Sequence, residues 1–264
     1  MKNFLIATAL SFAGLNGYAQ NATEIDTIEK KQISTTKPSR LDFNVLLETS
    51  HLWRGLVIND GMTATGNIHY AVNKSQTMKV GIWGGAGFDG KYREINYYVQ
   101  YQKNNLSIAI WDLFNTTGIE TPKVFNYDKN STTHIIDLRT SYRFNDNFPL
   151  RIEADMLLYS GLNDRELNSS NEYRSRNSTY VELSYPVIRD QVVTLNAFVG
   201  GAFPLNGSKH LFTNKTESSF DIVNAGITAS KSIEIFQYKL PVSATAMWNP
   251  SNKIARIKLD VNLF

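Results

Sequence analysis

From Leu41 to the last residue, apolar and polar positions alternate with a period of two, interrupted by turn-rich intervals and by no convincing helical stretch. Ile95, Tyr97, Val99 and Tyr101 share one face of their segment, and Glu94, Asn96 and Gln100 share the other. Further on, Ile136, Leu138, Tyr142 and Phe144 oppose Asp137, Arg139 and Arg143, and Ile152, Ala154, Met156 and Leu158 oppose Arg151, Glu153 and Asp155. The pattern predicts strands over Leu41 to Trp53, Met62 to Asn73, Met78 to Phe88, Lys91 to Lys103, Asn105 to Phe114, Thr133 to Asn145, Leu150 to Tyr159, Asn177 to Arg189, Gln191 to Ala202, Ser219 to Lys231, Gln237 to Trp248, and Lys253 to Phe264. Each is close to the roughly 9 to 11 residues a tilted strand needs to cross a bilayer core.

The connections sort by parity. After the even strands they are short; after the odd strands they include every long loop, at Arg54 to Gly61, Asn115 to Thr132, Ser160 to Arg176, and Phe203 to Ser218. A sandwich has no reason to segregate loop length in this way, whereas a membrane barrel has short turns at one end and long loops at the other. The expected class is therefore all-β, a transmembrane antiparallel up-and-down barrel of about twelve strands with both termini periplasmic. Apolar residues face lipid and charges face the interior, the inverse of a soluble barrel.

Ahead of the barrel, Lys2, the apolar stretch Phe4 to Leu15 and the small-residue site Gly17-Tyr18-Ala19 read as a signal peptide over residues 1–19. Residues 20–40 are polar and read as a flexible periplasmic segment, leaving 41–264 as the barrel. The expected location is the bacterial outer membrane, with its lipid as the surrounding partner.

Composition narrows the remaining chemistry. With no cysteine there is no disulfide or thiolate metal site, and no two of His51, His69, His134 and His210 share a strand face or helix turn in a metal-binding spacing. No metal or cofactor is expected. A net charge of +3 without a dense basic run gives no support to nucleic-acid binding. A mean hydropathy of −0.28 matches soluble proteins, yet barrels share that value because their strands are apolar on one face only.

The inward set contains Asp42, Glu48, Glu94, Asp137, Glu153, Asp155, Glu182, Asp221 and Asp260 against Arg139, Arg143, Arg151, Arg256 and Lys258. An excess of acids would favour passage of cations. The alternative is a salt-bridge ladder in which Arg139 and Arg143 pair across the hairpin with Glu153 and Asp155, filling the lumen. Aromatics are expected in two interface girdles, with Trp53, Phe88, Tyr92, Phe114 and Trp248 at the outer rim and Tyr70, Tyr101, Phe144 and Tyr185 at the inner rim.

The run Ser50-His51-Leu52-Trp53-Arg54-Gly55, followed by Asp60-Gly61, Gly66-Asn67-Ile68-His69-Tyr70 and Gly81-Ile82-Trp83, resembles the N-terminal signature of TorF-type porins. The resemblance spans Phe43 to Phe88. It departs from that pattern at Met62-Thr63-Ala64, where a proline is usual, and at His51, where an acid is common. It implies an outer-membrane barrel with a pore function for ions or small solutes, and an end at Phe264 of the kind the barrel-assembly machinery reads. On local physics, Arg54-Gly55 is a tight turn past the first strand, with Arg54 facing headgroup phosphates or loop acids.

Two other classes compete. A non-conducting structural or adhesion barrel would use the long polar loops, which could fold into the lumen or reach outward. An enzyme resembling the outer-membrane phospholipases would need a histidine against a serine; Ser50 and His51 point to opposite faces, and Ser131 with His134 or Ser208 with His210 carries no such signature. No catalytic residues are assigned.

Overall fold

The computed structural model describes residues 39–264; the expectations for residues 1–19 and 20–38 lie outside the described residues. Among the described residues sixteen strands follow one another without a helix: β1 (Leu41–Glu48), β2 (His51–Trp53), β3 (Leu56–Asn59), β4 (Thr63–Ala71), β5 (Met78–Gly87), β6 (Arg93–Lys103), β7 (Leu106–Asn115), β8 (Ile135–Arg143), β9 (Arg151–Tyr159), β10 (Arg165–Leu167), β11 (Tyr173–Ser175), β12 (Ser178–Arg189), β13 (Thr194–Pro204), β14 (Asp221–Ile235), β15 (Tyr238–Asn249) and β16 (Ile254–Asn262). Twelve of them form one closed antiparallel barrel, in which β1 pairs with β4 on one side and with β16 on the other. Closure leaves no barrel edge to pair with another chain. The strands β2–β3 and β10–β11 form two small separate hairpins.

Loop length divides as the sequence pattern predicts. At one end lie the short turns 72–77, 104–105, 144–150, 190–193 and 236–237, together with the start of β1 and the end of β16. At the other lie 49–62, 116–134, 160–177 and 205–220, alongside the shorter 88–92 and 250–253. The 104–105 turn is of the two-residue kind that twisted hairpins favour, with Asn104 at φ 52. Pro186, which cannot donate to a ladder, sits where the β12–β13 register shifts between Pro186 and Ile188.

The two faces of the wall differ in chemistry. Outward positions keep large apolar side chains in the open, such as Ile110 at 51% and Ile257 at 74% exposure, with Ile68, Ile82, Val99, Leu158, Leu183 and Ile227 alike. Inward positions are polar or aromatic and mostly buried: Thr63, Thr65, Asn67 and His69 on β4, Asn96, Tyr98 and Gln100 on β6, Thr228 and Ser230 on β14. Rings lie flat over inward glycines. A Cβ on Gly200 would fall 2.3 Å from the Tyr180 hydroxyl oxygen, so the close approach of that ring to the wall requires glycine.

The interface aromatics divide. Phe88 and Trp248 stand exposed at the long-loop end and Tyr185 at the short-turn end, where Tyr101 and Phe144 are half-buried and Phe144 and Tyr185 join Tyr142 and Phe148 in a chain of ring contacts of 5.3–6.0 Å. Trp53, Tyr92 and Phe114, expected in the outer girdle, are instead buried at 7%, 1% and 3% exposure. The reason is local. Trp53 belongs to the inserted hairpin, Tyr92 precedes β6 and turns in to stack on His51 at 5.3 Å, and Phe114 stacks on His134 at 4.0 Å.

Candidate functional site

The first strand is shorter than its alternation predicts. It ends at Glu48, and His51–Asn59 turns inward as a hairpin whose tip, Arg54-Gly55, takes φ values of 48 and 81. Positive φ at both central residues makes the two-residue turn that suits hairpin twist. Its flanks, Leu52, Trp53, Leu56, Val57 and Ile58, are apolar and gain by leaving water. Around the ring β9 lies six strands from β1 in either direction, so it forms the opposite wall. The hairpin crosses the lumen to that wall: Arg54 donates from Nη2 to Asp155 at 2.6 Å and to Asp137 at 2.8 Å, and from Nη1 to Asp137 at 3.3 Å.

The latch is charge-balanced. Arg139 also donates to Asp137 from Nε at 2.8 Å, so two guanidiniums face two carboxylates, and buried ions are tolerated when paired in this way. The Arg54 guanidinium also lies over three rings, Trp53 at 4.9 Å, Tyr180 at 5.5 Å and Phe212 at 5.9 Å. Backbone contacts complete the seat. Asn249 Nδ2 donates to the Gly55 carbonyl at 3.0 Å, and a Cβ on Gly55 would lie 1.8 Å from the Val223 carbonyl oxygen. At the hairpin's root, His51 donates to Glu48, which Lys258 also reaches at 3.1 Å.

Above and around the hairpin the long-loop half of the barrel is filled. Phe212, from the 205–220 loop, is fully buried against Trp53 and Tyr180 with ring centroids 5.4 and 5.8 Å away. Leu157, Asp137, Asn96 and Asn249 at that level are buried too. Below the hairpin, towards the short turns, a cavity of about 110 Å³ remains. Its lining mixes Trp111, Phe198 and Met247 with Arg139, Arg151, Glu153, Asp155, Glu182, Asn224 and Lys258.

The predicted inward residues therefore scatter. Arg139, Arg151, Glu153, Asp155, Glu182 and Lys258 line the cavity. Glu48 and Asp137 lie buried, at the hairpin's root and beneath its tip. Glu94 accepts from Tyr92 and Asn96; Arg143 reaches Asp146 at the short-turn mouth; Arg256 reaches Asp60 at the long-loop rim. Asp221 anchors a loop, accepting from Ser218 and His210. At Arg139 the expected cross-strand pairing gives way: Asp155 lies opposite Arg139 in register, but Arg54 takes it while Arg139 turns to Asp137. Arg54, expected at headgroups or loop acids, lies inside at 2% exposure. The signal for it was present in the sequence, a two-residue turn ending in glycine between two apolar runs, which reads as a hairpin. Trp111, Tyr180 and Asn224 had no signal beyond their phase, and Phe212, in a loop, had none. All four imidazoles face carboxylates: His51 on Glu48, His69 on Asp42, His134 on Asp112 and His210 on Asp221.

The loop cap is tied down by buried polar bonds. Asp164 accepts from the Ser178 amide at 2.8 Å and hydroxyl at 2.6 Å, and the Leu211 amide donates to the same Ser178 oxygen at 2.7 Å. Burial holds the His210 imidazole below its usual 6.5, against the upward pull of Asp221. Since the docked loop binds a proton less readily than the free loop, docking is intact above the imidazole range and weakens as pH falls from 6.5 through the lowered value. Burial raises the Asp164 carboxyl above its usual 3.8, which acts in the opposite sense but at more acidic pH. Amide protection in residues 205–220, the intrinsic exchange rate divided by the observed one at each pH, should therefore fall as pH drops below about 6.5, and His210→Gln should remove that dependence. A protection factor that stays constant with pH in the unsubstituted protein would contradict this account of the loop.

No protein-family pattern matches the chain, and no characterised protein matches it in sequence. Among solved structures it is similar to the NanC porin, with 8% identity and a TM-score of 0.43 over 84% of this chain and 98% of that one. It is also similar to an outer membrane channel from Pseudomonas putida F1, with 14% identity and a TM-score of 0.45 over 86% and 95% of the two chains. A Rhodopseudomonas blastica porin aligns over 76% of this chain and 54% of its own, with 12% identity and a TM-score of 0.36.

Proposed function

We propose that this chain is an outer-membrane barrel of the porin type, exported by its leader, with both termini periplasmic, and that it passes small solutes through a lumen which the β2–β3 hairpin closes. One observation carries the reading: the β2–β3 hairpin, anchored at its tip by Arg54 and backed by Phe212, stands between a polar cavity and the long-loop end. A barrel filled only for stability would be served by apolar layers; ionised walls around open space are what a water-filled path needs. Membrane placement is supported by the exposed apolar exterior. Kinship with TorF-type porins is supported by the run Ser50 to Gly55, whose Arg54-Gly55 is the hairpin tip. The half-exposed Phe264 at the end of the chain is available to assembly machinery.

A second reading, a non-conducting structural barrel, is favoured by the burial of Phe212 and Trp53, which fill the long-loop half. Planar-bilayer recording separates the two. The intact chain should show brief or rare openings, and a chain with residues 51–59 replaced by a short Gly-Ser link should conduct steadily. Silence from the shortened chain at every voltage would leave the structural barrel standing.

A further inference from the structure

We infer that the cavity beneath the hairpin binds a small zwitterion of the amino-acid class, its carboxylate on Arg139 and its ammonium on Glu182 and Asn224. The inference deepens the channel reading and rests on it for the route by which a solute arrives.

One side of the cavity is short of an acceptor. Arg139 lies 4.3 Å over the Trp111 ring and spends Nε on Asp137, while its buried Nη2 has no partner among the described residues. A guanidinium donor left unpaired in a buried place is costly, and a carboxylate is the acceptor that matches it. A second corner is short of a donor. Asn224 gives its amide hydrogens to the Tyr180 hydroxyl and to Glu182, both at 2.9 Å, and Tyr180 itself donates to Glu182. The buried Asn224 Oδ1 is left with no donor among the described residues, on the wall of a cavity that Glu182 also lines. A carbonyl oxygen and a carboxylate on one wall of the cavity suit a group with several N–H donors and a positive charge.

The two corners belong to one space. Tyr180 and Arg139 both register with Asp155, while Glu182 registers with Glu153 one row nearer the short turns. This places Arg139 and Glu182 two strands apart on adjacent inward rows, roughly 12 Å at the backbone, with long side chains reaching into the gap. A simple anion would answer Arg139 and leave Asn224 Oδ1 orphaned; a simple cation would do the reverse. A ligand bearing both charges satisfies both corners and keeps the latch in charge balance. Trp111, Ala109, Phe198 and Met247 supply apolar contact for the carbon chain between its ends.

Calorimetric titration of the full chain in detergent tests this with glycine, β-alanine and 4-aminobutyrate, whose charges are held at increasing separation. The controls are acetate, methylammonium and glycine betaine, the last carrying both charges but no N–H donor. At least one of the three zwitterions should bind saturably, with every control about tenfold weaker or worse, the effect of one lost charge-assisted hydrogen bond. Arg139→Gln and Glu182→Gln should each weaken that ligand by a similar factor in protein that melts like the unsubstituted chain. Absence of saturable heat from all three zwitterions, or equal binding of acetate or betaine, overturns the proposal, and this comparison needs no variant to fold. Since binding in detergent requires no conduction, saturation with silent bilayers would refute the channel alone, and conduction with silent titrations would refute the zwitterion site alone.

Discussion

Arg54→Ala is expected to convert a mostly closed barrel into a conducting one. The substitution leaves Asp137 and Asp155 buried with Arg139 as the remaining guanidinium, and stripping one partner from a buried ion cluster costs about 3–5 kcal/mol. Water relieves that cost when the hairpin withdraws, so the open population should rise by about two to four orders of magnitude. Arg54→Lys keeps the charge but cannot fork between two carboxylates, and should fall between the two. Gly55→Ala tests the same seat without touching charge, because its Cβ would overlap the Val223 carbonyl and φ of 81 strains an L-residue. Both variants should show longer openings in single-channel records. Traces indistinguishable from those of the unsubstituted chain for both would mean that the hairpin is no gate.

The second large effect concerns the outer wall. Ile110 lies halfway along β7, paired with Val99 and Leu138 at the centre of their strands, and its side chain points out of the barrel at 51% exposure. In a bilayer, Ile110→Arg should destabilise the folded protein by about 2–4 kcal/mol, while Phe88→Arg at the rim should cost about 0–1 kcal/mol. Denaturant titration of vesicle-refolded protein measures both. On a soluble barrel an arginine at either exposed site would change stability by less than about 0.5 kcal/mol. Equal, small effects at the two positions, with protein that stays dispersed without detergent, would remove the membrane from this account.

The two expectations differ in how far the sequence carried them. The barrel itself was legible because strand geometry leaves little freedom: with a side-chain period of two, Leu138 and Asp137 must lie on opposite faces of the wall, and loop length then tells one end from the other. Apart from the end of β1, strand limits agreed to within a few residues, and Glu153, Asp155 and Glu182 fell inside as their phase required.

What remained hidden is contact across the lumen. Alternation says that Asp137, Asp155 and Arg139 face inward, but which cation meets which anion depends on a segment more than eighty residues earlier folding back across the barrel. Local pattern continued β1 straight through Trp53, since an apolar run on an outer rim and an apolar run on an inserted hairpin are written alike. Burial decided between them. Closing the barrel created an enclosed interior where Trp53 and Phe212 could leave water together and where Arg54 could meet two carboxylates. The chain order thus determined the wall, its two faces and its two ends; only the closed tertiary structure decided what occupies the centre, because that choice is made by side chains brought together from opposite walls.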